Sequence, residues 1–111
     1  MNMKKGGAMN LTVLPRDDII MVTVEENRLD AAIATRFKDK MREIVTRGRK
    51  PILLDLGQVE FMDSSGLGAV IAVHKAMPEG LQLELQGLTP NVERVFRLTR
   101  MDSVFNIRSA G

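Results

Sequence analysis

Apolar and polar positions along this chain follow two periods, one suited to strands and one to helices. Leu11-Thr-Val-Leu14 and Ile19 to Val24 are short apolar, β-branched runs that predict strands, separated by Pro15 and the turn-like Arg16-Asp17-Asp18. After polar Glu25-Glu26-Asn27-Arg28, Asp30 stands where an N-cap belongs, and Ile33, Phe37, Met41, Ile44 and Val45 recur at helical spacing. Gly48 is the predicted stop of that helix, with Arg47, Arg49 and Lys50 beside its negative end. Pro51 opens a second buried-strand pattern, Ile52 to Leu56, closed by Gly57. Leu67 to Met77 predicts a helix, Pro78-Glu79-Gly80 a turn, and the alternating Leu81 to Gln86 a strand. Thr89-Pro90 pairs an N-cap with proline at the first helical position, opening a helix through Thr99, and Val104 to Ile107 is a last short strand.

The order β-β-α-β-α-β-α-β predicts one α/β domain over residues 11–111. Strands alternating with helices favour parallel neighbours and right-handed crossovers, hence a mixed sheet of four to five strands. The polar faces of the helices suit a sheet covered mainly on one face. Residues 1–10 carry Lys4-Lys5 with no apolar run after them, so they read as a flexible N-terminal tail and not as a secretory signal.

Composition narrows the function classes. A hydrophobic fraction of 44% in 111 residues supports one real core. Sixteen basic residues nearly balance 14 acidic ones, which gives no electrostatic case for nucleic acid or anionic lipid as main partner. The chain has no cysteine, which rules out a thiolate metal site, and a single histidine, His74, which argues against a zinc site of the usual His- and Cys-rich kind. No run approaches a membrane span. The reading is a cytoplasmic protein without cofactor or metal.

Chemistry concentrates in Phe61-Met-Asp-Ser-Ser-Gly-Leu-Gly68, between a strand pattern and a helix pattern. A hydroxyl there serves as nucleophile, phosphate acceptor or helix cap. A nucleophile elbow needs glycine where Met62 stands. The only histidine, ten residues beyond Ser64, lies roughly 15 Å away along the helix at about 1.5 Å per residue. Ile71 occupies the third-glycine position of a dinucleotide fingerprint, and no P-loop lysine follows Gly68. Asp55 ends a strand as an aspartyl-phosphate acceptor does, but Asp17-Asp18 and Lys50 stand in the wrong order for a response regulator. Arg47-Gly-Arg-Lys50 is better explained as a solvated helix end than as a phosphate contact, and a chain with four Phe and neither Tyr nor Trp is poor in stacking platforms. Asp30, Asp55 and Asp63 are explained as caps and loop acceptors without Mg²⁺. A regulatory hydroxyl remains: phosphorylating Ser64 adds about 1.5 to 2 negative charges and three acceptors beside Asp63. An interface fitted to the neutral hydroxyl does not tolerate that dianion.

The same segment resembles the signature of the bacterial anti-sigma factor antagonists, the STAS-domain family. Arg28-Leu-Asp30 resembles the family's acidic-Leu-Asp segment, Ile52-Leu-Leu-Asp-Leu56 its central strand, and Leu88-Thr-Pro-Asn-Val92 its step into the last main helix. The resemblance runs from Leu11 to Ile107 and implies partner switching by a protein that is not an enzyme. The unmodified antagonist binds a serine kinase/anti-sigma factor and frees a sigma factor. Phosphorylation at the position of Ser64 releases it, and a PP2C-type phosphatase resets it. The implied partner-binding residues are Asp30, Asp63, Ser64, Ser65, Gly66 and Leu67. The alternative is a STAS module in a signalling or transport assembly, binding a partner or ligand without a sigma factor. Two departures stand out. Asn27-Arg28 replaces glycine and an acidic residue, reversing a charge beside the implied interface, and the family's C-terminal helix is expected to be shortened or missing.

Overall fold

In the computed structural model, which describes residues 9–108, the apolar runs lie side by side as strands β1 (Leu11–Pro15), β2 (Ile20–Val24), β4 (Ile52–Asp55), β6 (Leu83–Gln86) and β7 (Asn106–Arg108). They form one sheet in the order β1-β2-β4-β6-β7. β1 runs antiparallel to β2 and the other neighbours are parallel, so the sheet is mixed. Its register explains the alternation in the sequence. Ile20, Ile52 and Leu83 stand abreast, Val22, Leu54 and Leu85 form the next row, and all six are buried.

These rows join one apolar cluster with residues of three helices: Phe37, Met41 and Val45 of α1 (Ala34–Gly48), Val70 and Val73 of α2 (Ser64–Ala76), and Val92 and Phe96 of α3 (Pro90–Leu98). The helices therefore lie mainly on one face. Leu53 is buried but outside that cluster, in the opposite-facing row with Met21 and Glu84, and Glu84 is paired with Arg108 at 2.7 Å.

Several local expectations change. Asp30 does not cap α1. Its backbone and side chain close a turn over residues 31–33, accepting from Ala32 N–H at 3.1 Å, and the helix begins only after Ile33. Gly48 is the last helical residue and Arg49 takes the left-handed position, φ 51°. A Cβ on Gly48 would lie 2.2 Å from Ile20 Cδ1, the far end of a flexible side chain. α2 starts at Ser64, three residues before the apolar pattern, because Asp63 supplies the cap. Two strands of two residues each, β3 (Arg28–Leu29) and β5 (Phe61–Met62), form a separate parallel ladder too short to carry any periodicity. A 3₁₀ turn, Met101–Ser103, displaces the last strand to Asn106–Arg108.

Of the expected tail, residues 1–8 lie outside the described residues, as do 109–111 of the domain's end. Met9 is buried in the core, and Asn10 donates through its backbone and side chain to Glu26 at 2.8 and 3.0 Å, so both belong to the folded unit.

Candidate functional site

The β3–β5 ladder positions the site. Asn27 C=O accepts from the N–H groups of Glu60 (2.8 Å) and Phe61 (3.2 Å), and Thr89 Oγ1 donates to Val59 C=O at 2.7 Å, which fixes the approach to β5. In the ladder Arg28 stands opposite Phe61 and Leu29 opposite Met62. Leu29 and Met62 are buried beneath it, so the next residues of the two strands, Asp30 and Asp63, emerge together at one edge.

Asp63 is the N-cap of α2. Its Oδ1 accepts from Gly66 N–H at 2.9 Å and its Oδ2 from Ala31 N–H at 3.2 Å, so one carboxylate caps the helix and ties it to the Asp30 turn. The Gly66 amide, followed by those of Ala31 and Ser65, holds the Asp63 pKa below its ordinary value. Asp30 is committed in the same way, accepting from Ala32 N–H through Oδ1 and from Arg28 Nε through Oδ2, each at 3.1 Å. The cap therefore falls to Asp63 and leaves the serines free. Ser64 and Ser65 occupy the first turn of α2, both exposed, and the Ser64 hydroxyl makes no hydrogen bond among the described residues.

Of the six residues singled out in the sequence, Asp30, Asp63, Ser64 and Ser65 meet at this edge with exposed or half-buried side chains. Gly66 and Leu67 are buried and support it from below. Gly66 is required there, since a Cβ would lie 2.0 Å from Leu29 C=O. Gly68 is different: its missing side chain faces open space. It lies in a shallow cavity of about 310 Å³ between Ala31, Ala34, Thr35 and Lys38 on one side and Ser65, Gly68 and Ala69 on the other.

Asp55 takes no part, because its oxygens accept from Gly57 N–H (2.8 Å) and Gln86 Nε2 (2.9 Å). His74 is half-buried toward the other end of α2 with its ring 4.8 Å from that of Phe105. No group of three or more His, Cys, Asp or Glu capable of holding a metal occurs among the described residues. Among those residues no helix is long and apolar enough to cross a membrane.

The pattern in the sequence did not reveal one part of this edge. The Arg28 guanidinium lies over the Phe61 ring, 4.5 Å from its centroid, while its Nε holds Asp30. Arg28 stood out only as a reversed charge. Its place on Phe61 depends on ladder pairing between residues 33 positions apart.

Comparison with known proteins agrees with this fold. A family model described as the STAS domain matches residues 10–110. An anti-sigma-B factor antagonist of Listeria monocytogenes is 27% identical over 82 residues, 73% of this chain and 72% of that protein. Among solved structures, an anti-sigma factor antagonist from Mycobacterium paratuberculosis superposes with a TM-score of 0.81 at 22% identity, covering 95% of this chain and 89% of that one. The Bacillus cell fate determinant SpoIIAA in its phosphorylated form gives a TM-score of 0.69 at 19% identity, covering 94% and 92%. At those identities the two structures speak for the fold alone.

Proposed function

The chain belongs to the STAS domain family, and from that premise we propose that it is an anti-sigma factor antagonist whose Ser64 is a phosphorylation switch. The observation that carries this reading is the division of labour at the start of α2. Asp63 provides the cap, so the adjacent Ser64 hydroxyl stays exposed and uncommitted. A neutral hydroxyl on a rigid, pre-capped turn suits both a docking contact and a kinase substrate. In the unmodified state the edge formed by Asp30, Asp63, Ser64 and Ser65 binds a serine kinase/anti-sigma factor, which then lets go of its sigma factor. Transfer of phosphate to Ser64 places a dianion next to the ionised Asp63. The helix dipole offsets part of that charge, so the domain itself tolerates the modification. The partner surface does not, and about 3 kcal/mol lost there corresponds to more than a hundredfold weaker binding. A PP2C-type phosphatase restores the hydroxyl. The antagonist contributes no catalytic group, and the cycle runs in the cytoplasm.

The test is incubation with the cognate serine kinase and ATP. Wild type takes up one phosphate and Ser64→Ala takes up none, while Ser64→Asp binds the kinase at least about a hundredfold more weakly than wild type. Full phosphorylation of Ser64→Ala sinks the proposal. Unchanged binding by Ser64→Asp transfers the case to a STAS module that works without this switch.

A further inference from the structure

We propose that the free edge of Arg28 is the charge-selecting contact of this docking surface, and that the partner places an aspartate or glutamate carboxylate on it. The proposal rests on the docking reading above. It names a determinant of partner choice that is separate from the Ser64 switch.

The geometry distinguishes groups that are already satisfied from groups that are not. The two carboxylates at the edge have their oxygens engaged inside the chain: Asp30 by Arg28 and Ala32, Asp63 by Gly66 and Ala31. Arg28 spends only Nε on Asp30. Among the described residues its two terminal nitrogens make no hydrogen bond, and its side chain is 58% exposed. Among the charged groups of this surface, those left without a partner are therefore donors.

Those donors are also pre-positioned. The Nε–Asp30 bond at 3.1 Å and the Phe61 ring beneath Cζ fix the guanidinium at one edge and one face, leaving the edge formed by the terminal nitrogens pointing outward. That edge presents parallel N–H groups matched to the two oxygens of a carboxylate, and a side chain held in place beforehand loses less freedom on binding. Phe61, 42% exposed, supplies an apolar patch beside the charge. Arginine and aromatic residues together are the usual composition of an energetic centre in a protein interface. A phosphate group fits less well than a carboxylate, since its second charge meets Asp30 and Asp63 in the same patch.

The test measures binding of the serine kinase that modifies Ser64 to unphosphorylated wild type, Arg28→Gln, Arg28→Lys and Arg28→Glu, by calorimetry at low and high salt. Arg28→Gln keeps a shortened polar stem and removes the guanidinium, with its charge, its fork and its bond to Asp30. It is expected to weaken binding about tenfold at low salt, a gap that narrows at high salt. Arg28→Lys falls between the two because it keeps the charge and loses the fork. Arg28→Glu binds most weakly and regains affinity when one acidic residue of the kinase surface is changed to lysine. Unchanged melting temperatures keep these effects from being ascribed to the fold. Arg28→Gln within about twofold of wild type at both salts, or tighter binding by Arg28→Glu, overturns the proposal. Should Ser64→Asp also bind like wild type, the docking reading itself fails. Sensitivity at Ser64 with indifference at Arg28 removes only this inference.

Discussion

The five-stranded sheet and the two-stranded ladder both pair strands in register, but different forces hold them. In the sheet, rows such as Ile20-Ile52-Leu83 are buried against three helices, so side-chain burial sets the register and a one-residue slip turns every apolar group outward. The ladder has two residues per strand and buries only Leu29 and Met62. Backbone acceptors around it, a capping carboxylate and a glycine with no room for a side chain hold the rest in place. Apolar rows tolerate no polar exposure and make a poor binding surface. The ladder spends little surface on its own stability, so its edge is free to present Asp30, Ser64, Ser65 and Arg28. The proposed docking edge sits where the fold is held by hydrogen bonds and close approach instead of by bulk.

That contrast can be broken from either side. Leu54→Ala opens a cavity in the central strand and is expected to cost about 3 kcal/mol or more, with Ser64 still a kinase substrate in the fraction that remains folded. Chemical denaturation followed by a phosphorylation assay reads both quantities. Gly66→Ala attacks the ladder. Its Cβ meets Leu29 C=O, so β3 and α2 must separate at an expected cost of about 2 kcal/mol, and kinase binding falls with the docking edge even where the protein stays folded. Gly68→Ala, two residues on in the same helix, is the control. Nothing inside the chain opposes its Cβ, so it should stabilise the domain by about 0.5–1 kcal/mol in the same denaturation experiment. A Gly66→Ala protein as stable as Gly68→Ala would erase the distinction drawn here.

The smallest effect concerns Asp63. Its pKa is depressed in the folded protein, so the unfolded chain takes up the proton first as pH falls. The contribution of the cap is then fully present above the ordinary carboxylate value of 3.8 and is lost as pH drops through the lower folded value. Melting curves below that pH should fall more steeply for wild type than for Asp63→Asn, which keeps an oxygen acceptor without the titration. Parallel curves would mean that the carboxylate charge adds nothing to the cap.

Much of this was legible in the chain because apolar periodicity and capping residues are local. The five sheet strands and three helices follow from runs such as Ile52 to Leu56 and from Thr89-Pro90, and Ser64 stood out from its neighbours and from the absence of a reachable base. Local signals also misled. Asp30 has the residue type of a helix cap and closes a turn upstream of the helix. Gly48 has the residue type of a left-handed stop and is still helical, the left-handed position falling to Arg49. Thr89 marks the start of α3 correctly, yet its hydroxyl bonds Val59 instead of its own helix.

The sequence by itself determined an α/β domain with a mixed sheet, helices on one face and a single hydroxyl-bearing turn, because burial demands a periodic pattern and the turn demands small and polar residues. Only the tertiary structure decided which carboxylate caps α2, why a side chain is opposed at Gly66 and not at Gly68, and that Arg28 rests on Phe61 with its terminal donors unbonded. Each of these depends on a contact between segments distant in the chain. A ladder of two residues per strand leaves no periodic trace by which such a contact can be read.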